Sequence, residues 1–566
     1  MRVHPIIPGI GLGLLAACAG DGRRFPLREP LWRDTDLDSR VATCHKDDGS
    51  GKRVCRPDTY DSSFAWDATD NVAFRPVSRF FAVDPGGEAR NVNSADEVPD
   101  SSWFENRIGR RGMTPAEVGR GACDGQDVDT DATDGSWLID SGKPNGANPG
   151  FRVKLSNGQH VLLKSDLSQG ERTTAAAAIA TRLYYAAGWY VPCESVVYIS
   201  RSALTLKPGI TSTDNEGVTR PFDEATLDKL LDGAQRRGDR YRFIASRWLP
   251  GRLLGPFTYE GIKDDDPGDV VAHEDRRDLR GARILAAWTD HFDSREQNSM
   301  TSWLADDSRD LDSSPGLVRH YYLDLGDCFG SEWTDGIWRR IGHAYYFDIG
   351  YILEDLFTFG TLERPWDRAK MDPRGTFGYY SARDFDPEGW RGGYPNPAFM
   401  RMTEHDGAWA ARIVARFTDE HLAAVVAAGD LTNPENSAFL LEQLRGRRDA
   451  ILRRYLGQLS PITDVAAEGR ELCGVDLARR SGLFPDSLFK YSARVHGGAP
   501  LAVQAFPDGR ICATVPDEAA ATPAPRYRVV DIENRQAPGV LRVHFYDLGA
   551  ERGLRVAGLE RDGRAR

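Results

Sequence analysis

The spacing of apolar residues predicts a helix, a polar loop and a strand in the middle of the chain. Between residues 279 and 288, apolar side chains recur at the intervals of one helix face. A loop rich in acids and amides follows this helix. A short apolar strand, residues 321–323, then ends at Asp324. The helix and the strand are therefore expected to hold the loop between them.

A β-rich pattern precedes this helix. Residues 136–139 predict a strand, and residues 151–155 and 159–164 predict a hairpin around an Asn-Gly turn signal. A loop of Gly, Pro and Asn residues, 141–150, joins the strand to the hairpin. The remaining elements predicted here are an alanine-rich helix at 171–187 and strands at 196–199 and 241–248.

The pattern changes twice in the second half of the chain. Residues after Asp324 show little periodicity until about residue 406, where helices begin at 408–417, 419–428 and 437–456. From residue 463 onward, short alternating segments separated by Gly and Pro turns predict an all-β module similar to a small sandwich. Residues 18–120 lack long periodicity and predict an irregular leader that wraps a larger domain. The expected fold class is α+β.

Composition and charge exclude some function classes. The formal net charge is -12, which disfavours binding to nucleic acid, because such proteins usually carry a basic patch. The chain contains no run of about eighteen apolar residues, so no transmembrane helix is expected. We expect a globular protein of several domains.

The N-terminus resembles a secretion signal. An apolar stretch that starts after Arg2 ends in Leu-Ala-Ala-Cys at Cys18, which is similar to the bacterial lipobox. The resemblance implies removal of residues 1–17 and lipidation of Cys18. Ala19 after the cysteine implies the outer membrane of a bacterial cell envelope. A plain signal peptide, with Cys18 incidental, is the alternative. In such an oxidising compartment, Cys44 and Cys55 would close a loop as a disulfide.

The polar loop and the residues after the strand carry the candidate chemistry. His291-Phe292-Asp293 is followed by Asn298, five places after the aspartate, and Asp324-Leu325-Gly326 follows the strand. One carboxylate could orient or deprotonate a hydroxyl group. An amide oxygen and a second carboxylate could hold Mg²⁺, which prefers oxygen ligands. The alternative is an acidic surface loop beside an unrelated turn.

Three further residues belong to a candidate phosphate site. Lys164 stands at the end of a strand, and Gly146 lies in the preceding glycine-bearing loop. A strand, a flexible loop and a strand lysine are the arrangement that covers phosphates in kinases. Glu171 is the acid nearest to the start of the alanine-rich helix and is a candidate partner for Lys164. A favourable interaction with the helix dipole would explain Glu171 equally well.

These motifs resemble the protein-kinase-like superfamily, in particular its divergent HipA-like and CotH-like bacterial members, and some segments resemble uncharacterised bacterial secreted lipoproteins. The resemblance covers about residues 137–456. It implies a β-rich N-lobe at 121–250 and a helical C-lobe at 251–462. It also implies that Asp293 is the base, that Asn298 and Asp324 bind Mg²⁺ or Mn²⁺, and that Lys164 contacts ATP. Asp290 is a rival for the base.

Two features depart from the kinase pattern. The alanine-rich helix has no acid in its interior to pair with Lys164, and the stretch from Asn298 to Asp324 is longer than in ordinary kinases. The main hypothesis is an envelope lipoprotein that transfers phosphate to a protein or small-molecule hydroxyl. A catalytically inactive binding or scaffolding module is the alternative. A hydrolase that uses His291 would need a nucleophile, and the chain has no Gly-x-Ser-x-Gly elbow.

Overall fold

The computed structural model describes residues 23–41, 44–47, 49–61, 64–81, 86–123, 128, 134–143, 148–166, 170–213, 218–330, 338–517 and 525–562. Helices and mainly antiparallel sheets are mixed along the chain, so the expected α+β class is confirmed at this level. The helices are Phe64–Thr69, Arg75–Phe81, Pro115–Arg120, Arg172–Ala187, Glu224–Gly233, Arg277–Thr289, Ile349–Thr358, Pro397–Met400, Glu404–Val414, Asp419–Ala427, Pro434–Tyr455 and Leu477–Arg480.

A seven-stranded sheet forms from the first β-rich region. Its strands lie in the order Arg236–Arg237, Arg240–Arg247, His160–Lys164, Gly150–Lys154, Trp137–Gly142 and Leu204–Leu206, and Glu194–Ser200 also pairs with Arg240–Arg247. The predicted hairpin is confirmed, with Gly158 at positive φ in its turn. A small separate pair, Thr211–Thr213 with Thr219–Pro221, adjoins this region.

The alanine-rich helix Arg172–Ala187, called the alanine helix below, packs on one face of this sheet. Ala177 and Ala178 form a buried cluster with Ile244, and Val196 packs against it. Small side chains allow a helix to approach a sheet closely, and here they leave no room for a long side chain between the two. The helix ends at Gly188, as its sequence predicted, with φ of 130°.

A three-stranded sheet lies between this region and the Asp-Leu-Gly sequence. Its strands are Arg252–Gly255, Ser299–Ala305 and Gly316–Tyr322, in that order. The expectation of a single strand at 321–323 was therefore too short, because the strand begins at Gly316 and pairs with Ser299–Ala305. The long stretch from Asn298 to Asp324 is this hairpin and its connection.

Helices make up much of the following region. The helix Arg277–Thr289, called the central helix below, is buried along nearly its whole length. The three predicted later helices are confirmed, but two of them begin earlier than the periodicity indicated, at Glu404 and at Pro434. Thr403 and Asn433 cap these two starts with their side chains, which explains the earlier boundaries. The region expected to be irregular also contains Ile349–Thr358 and Pro397–Met400.

The C-terminal region contains the predicted β-structure. A four-stranded sheet consists of Ile462–Glu468, Glu471–Asp476, Arg510–Thr514 and Val503–Ala505 in spatial order. A five-stranded sheet consists of Pro500–Leu501, Ser492–Val495, Arg526–Glu533, Val540–Asp547 and Leu554–Asp562. Apolar residues from both sheets share one hydrophobic cluster, in which Leu472 and Ile511 meet Val530 and Leu541. The two sheets therefore enclose a common core.

Three disulfides join cysteines of the described chain. The expected bond between Cys44 and Cys55 is present, beside the small strand pair His45–Lys46 and Arg53–Val54. The other two join Cys123 to Cys193 and Cys473 to Cys512. Cys328 is a buried free thiol. Over the described residues, the helices are too short or too polar to cross a membrane.

A buried ionic cluster fastens the leader to the rest of the molecule. The Asp96 carboxylate lies 2.6 Å from Arg277 of the central helix and 2.6 Å from Arg561 of the last strand. Arg412 lies 3.8 Å away, and the Asp96 side chain is only 12% exposed. These cations hold the pKa of Asp96 well below its usual range, although burial opposes the shift. One carboxylate therefore links three distant parts of the chain.

Replacing Asp96 with Asn is expected to lower the free energy of unfolding by about 3 kcal/mol, because the buried arginines lose their counterion. The difference should be complete near pH 7 and should shrink as the pH falls below the ordinary aspartate range, since Asp96 then protonates in the wild type as well. Denaturant titration at several pH values measures it.

Asp464→Asn is the matched control. Asp464, like Asp96, has a positive φ, which is 52° at Asp464. Its side chain is 43% exposed and pairs with Arg416. This control should change stability by less than about 1 kcal/mol. Equal effects of the two substitutions would show that the Asp96 cluster has no special role.

Candidate active site

The polar loop connects the end of the central helix to one end of the three-stranded sheet. The helix ends at Thr289, and Asp290 turns the chain with a left-handed φ of 54°. The loop then runs through Asp293 to a single 3-10 turn, Glu296–Asn298, that leads directly into the strand Ser299–Ala305. Both ends of the loop are thus fixed by regular structure, which gives its side chains defined positions.

Asn298 holds Asp293 in place. The Asn298 Nδ2 group donates to the backbone oxygen of Asp293 at 2.7 Å and to its carboxylate at 2.9 Å. Arg295 forms an ion pair with the same carboxylate at 2.9 Å. Because both bonds to Asp293 use Nδ2, the amide oxygen of Asn298 is the atom that remains for a cation. Asp293, Arg295 and Asn298 are therefore linked to one another within the loop.

Strand pairing brings Asp324 to the same place. Ser299 pairs with Tyr322, and the amide of Leu323 donates to the carbonyl of Asn298 at 2.9 Å. Asp324 is the next residue and adopts a left-handed φ of 53°. The structure thus brings together Asp293, Asn298 and Asp324, which the sequence had grouped only by their order.

Lys164 reaches across from the seven-stranded sheet to Asp324. Its ammonium group donates to the Asp324 carboxylate at 2.7 Å. Lys164 is 5% exposed, whereas the side chain of Asp324 is 45% exposed. The Lys164 cation holds the pKa of Asp324 well below its usual range, so the carboxylate is charged near neutral pH. Asp324 is consequently a charged carboxylate that a solute can reach.

The glycine of Asp-Leu-Gly allows the loop to lie against the alanine helix. A Cβ on Gly326 would approach the methyl group of Thr173 to 2.7 Å. Leu325 is fully buried beside it. A larger residue at position 326 would therefore require the loop or the Thr173 side chain to shift.

Glu194 is a buried acid of this site that no motif or spacing in the sequence singles out. It begins the strand Glu194–Ser200 and is 2% exposed. Lys164, Ile244 and Val196 are opposite one another across three strands, so alternation places Glu194 on the same sheet face as Lys164. Burial raises the pKa of Glu194, and the nearby Lys164 charge opposes this shift. Within the described chain, its Oε2 has no hydrogen-bond partner.

Lys143 and Asp327 are two more charged residues of this site. Lys143 donates to the carbonyl of Asn148 at 3.0 Å, and burial lowers the pKa of Lys143 to about 8, although the nearby Asp324 charge raises it. Asp327 accepts a bond from the backbone amide of Asp293 at 2.7 Å. A lysine inside a glycine-rich loop and an acid one residue after Asp-Leu-Gly were the available sequence signals. Gly146, between Lys143 and Asn148, lies outside the described residues.

His291 supports the loop and has no route to a substrate. It is fully buried, its Nδ1 lies 3.0 Å from the Tyr184 hydroxyl, and its Nε2 lies 3.7 Å from Asp327. Burial lowers the pKa of His291 to about 3, so the ring is neutral near pH 7. Its full burial favours a structural role over the predicted catalytic one.

Two other predicted site residues have partners elsewhere. The Asp290 carboxylate accepts a bond from the Trp390 indole at 2.7 Å and lies 4.0 Å from Arg447. Glu171 accepts a bond from the backbone amide of Thr432 at 3.0 Å. Asp290 therefore fixes the end of the central helix within the core, and Glu171 fixes the start of the alanine helix. Glu171 is therefore not the partner of Lys164 that the sequence suggested, and the burial of Asp290 in the core favours Asp293 over this rival as the base.

The remaining constellation suits a hard cation and an anionic ligand. Asn298 and Asp324 lie at adjoining ends of paired strands and offer oxygen atoms, and Lys164 and Lys143 provide positive charge beside Asp324. Burial raises the pKa of Asp293, which strengthens it as a proton acceptor once it is charged. Comparison with protein-family models, curated proteins and solved structures finds no match to this chain.

Replacing Asp324 with Asn, or Asn298 with Ala, is expected to weaken Mn²⁺ binding by about tenfold or more. The first change removes the negative charge of one proposed oxygen ligand, and the second removes the other oxygen ligand. Paramagnetic resonance of free Mn²⁺ measures this binding. Asp307→Asn is the control, since Asp307 is an exposed acid that pairs with Arg309. Unchanged Mn²⁺ binding in both site variants would contradict a cation site here.

Proposed function

We propose that this protein is a kinase-like phosphotransferase of two lobes, with the site between them. The seven-stranded sheet and the alanine helix form the N-lobe, and the central helix with the later helices forms the C-lobe. The observation that carries the proposal is the 2.7 Å bond between Lys164 and Asp324, one from each lobe, beside the linked pair Asp293 and Asn298. Lysine, base, amide and acid are the groups that phosphoryl transfer requires.

The order of elements supports the same proposal. A strand lysine, a helix, a catalytic loop, a hairpin and then Asp-x-Gly follow one another in the chain, as in the kinase core. The stretch from Asn298 to Asp324, which is longer than in ordinary kinases, is accounted for by two paired seven-residue strands and the turn between them. The additional length therefore lies within the hairpin, and the strand ends that carry Asn298 and Asp324 remain paired.

Each side chain has a role that its contacts allow. ATP would supply the phosphoryl group, and Mg²⁺ or Mn²⁺ held by Asn298 and Asp324 would neutralise its charge. Lys164 and Lys143 orient the phosphates. Asp293, fixed by Asn298, would orient the acceptor hydroxyl and take its proton as the oxygen attacks the γ-phosphorus, while the bond from this phosphorus to the β,γ-bridging oxygen breaks and ADP leaves. The acceptor is a hydroxyl group of a protein or of a small molecule.

Glu194 would replace the acid that kinases place on the helix. The alanine helix offers Ala177 and Ala178 where it meets the sheet, so no carboxylate can come from there. Glu194 lies on the same face of the sheet as Lys164, and the Lys164 charge lowers its pKa against the effect of burial. We assign it the positioning of Lys164.

The location of the protein is a separate part of the proposal. The lipobox-like sequence at Cys18 supports a lipid-anchored protein of the bacterial envelope, attached to the outer membrane through its acyl chains. Membrane contact in this proposal depends on the anchor and includes no spanning helix.

The test of the activity uses the mature chain from residue 18. ATP binding is measured by calorimetry with and without Mg²⁺ or Mn²⁺, and transfer of labelled γ-phosphate is followed with candidate acceptors. Asp293→Asn is expected to keep metal-dependent ATP binding and to lose transfer by about 10²- to 10⁴-fold, because only proton acceptance is removed.

Asp324→Ala should lose the metal-dependent part of ATP binding. Asp310→Ala, a change in an acid of the hairpin connection, is the control and should behave as the wild type. Absence of ATP binding with every metal would refute the kinase proposal. The alternative, a non-catalytic binding or scaffolding module, would then remain.

Glu194→Gln is expected to weaken metal-dependent ATP binding by about tenfold, since Lys164 loses the nearby negative charge of Glu194. Glu171→Gln is the matched control, because Glu171 bonds to Thr432 and should leave ATP binding unchanged. A changed NMR chemical shift of the Lys164 ammonium group in a folded Glu194→Gln protein would distinguish lost positioning from lost folding. Equal ATP affinity in the two variants would assign Glu194 a purely structural role.

A further inference from the structure

The helix Ile349–Thr358 presents an apolar stripe to solvent. Ile349, Ile352, Leu353, Leu356 and Phe357 recur at the spacing of one helix face. Every one of them is exposed, from 46% at Ile352 to 77% at Phe357. Phe359, just beyond the helix, is 92% exposed. Helices of globular proteins normally bury such a stripe, so this one is exceptional.

The polar edge of the same helix is the one fastened to the protein. Arg364 forms ion pairs with Glu354 and with Asp355, and it lies over the ring of Tyr351 at 4.8 Å. Tyr351 also contacts Trp366 edge to face. These contacts fix the orientation of the helix and keep the apolar stripe directed outward.

Charge in this segment is balanced, in contrast to the rest of the chain. Residues 338–374 contain six basic and six acidic residues, whereas the whole chain has a net charge of -12. The acids on the helix itself are paired with Arg364. The segment is therefore a part of the surface that an anionic membrane would not repel.

We propose that Ile349–Thr358 and Phe359 form a membrane-contact helix that lies in the headgroup region of a lipid bilayer. The stripe consists of Ile, Leu and Phe, whose transfer from water to an apolar environment is favourable. Exposed Phe and Leu on a short helix are suited to the interface between headgroups and acyl chains. The choice of a bilayer as occupant rests on the proposed lipid anchor at Cys18, which would keep this surface near lipid.

The contact would orient the protein on the membrane. The segment is connected to the candidate active site, because Tyr346, three residues before the helix, donates from its amide to Gly393, which in turn donates to the carbonyl of Phe292. Phe292 precedes Asp293. A helix held at the bilayer would therefore fix the position of the catalytic loop relative to the membrane surface.

The test measures sedimentation of the unacylated mature chain, with Cys18→Ser, together with vesicles of phosphatidylethanolamine and phosphatidylglycerol. Wild-type helix sequence should bind, and the double variant Leu356→Glu with Phe357→Glu should bind at least about tenfold more weakly, since two apolar side chains no longer enter lipid. The double variant should keep its melting temperature, because both side chains are exposed in the free protein.

Val270→Glu with Leu488→Glu is the matched control. It adds the same charge at two exposed apolar residues elsewhere, and it should bind vesicles as the wild type does. Equal binding by the helix variant, or no binding by the wild-type chain, would overturn the proposal. A dimer in light scattering that only the helix variant loses would assign the stripe to a second copy. Mass spectrometry of Cys18 tests the anchor separately, so either idea can fail alone.

Discussion

The position of the whole site depends on ion pairs buried along the central helix. Arg277 and Arg280 lie on this helix and are fully enclosed, so each must have a carboxylate partner. Asp406 of a later helix serves both, at 3.1 and 3.4 Å, and Asp96 of the leader serves Arg277. Because the partners come from distant segments, the helix has one place in the fold. The loop that carries Asp293 begins where this helix ends.

The packing of the alanine helix explains the distribution of charge around Lys164. Small residues let this helix approach the sheet, and Gly326 lets the Asp-Leu-Gly loop approach the helix. A helix packed this closely cannot also hold a long acidic side chain at the contact. The carboxylate beside Lys164 comes instead from Glu194 at the start of a strand. In the proposed kinase, close packing and lysine positioning are therefore assigned to different elements.

The exposed helix and the candidate site have opposite relations to solvent. At the site, Lys164 and Glu194 are enclosed, whereas the Asp324 carboxylate, although paired with Lys164, remains 45% exposed. On the membrane-contact helix, apolar groups are open and the charged ones are paired with Arg364. The proposals assign a cation and phosphates to the first surface and a bilayer to the second, because each surface exposes groups that a folded protein usually pairs or buries.

The sequence by itself determined the local features of this protein. Periodicity predicted the alanine helix and the hairpin that ends at Lys164, and spacing grouped Asp293 with Asn298, because these depend on residues that are neighbours in the chain. Only the tertiary structure decided which charges meet. Glu194 lies thirty residues from Lys164 and shares its sheet face across an intervening strand. Glu171 and Asp290, which the sequence had selected, instead bond to Thr432 and Trp390. Strand order and core packing set these contacts, and neither is encoded in local spacing.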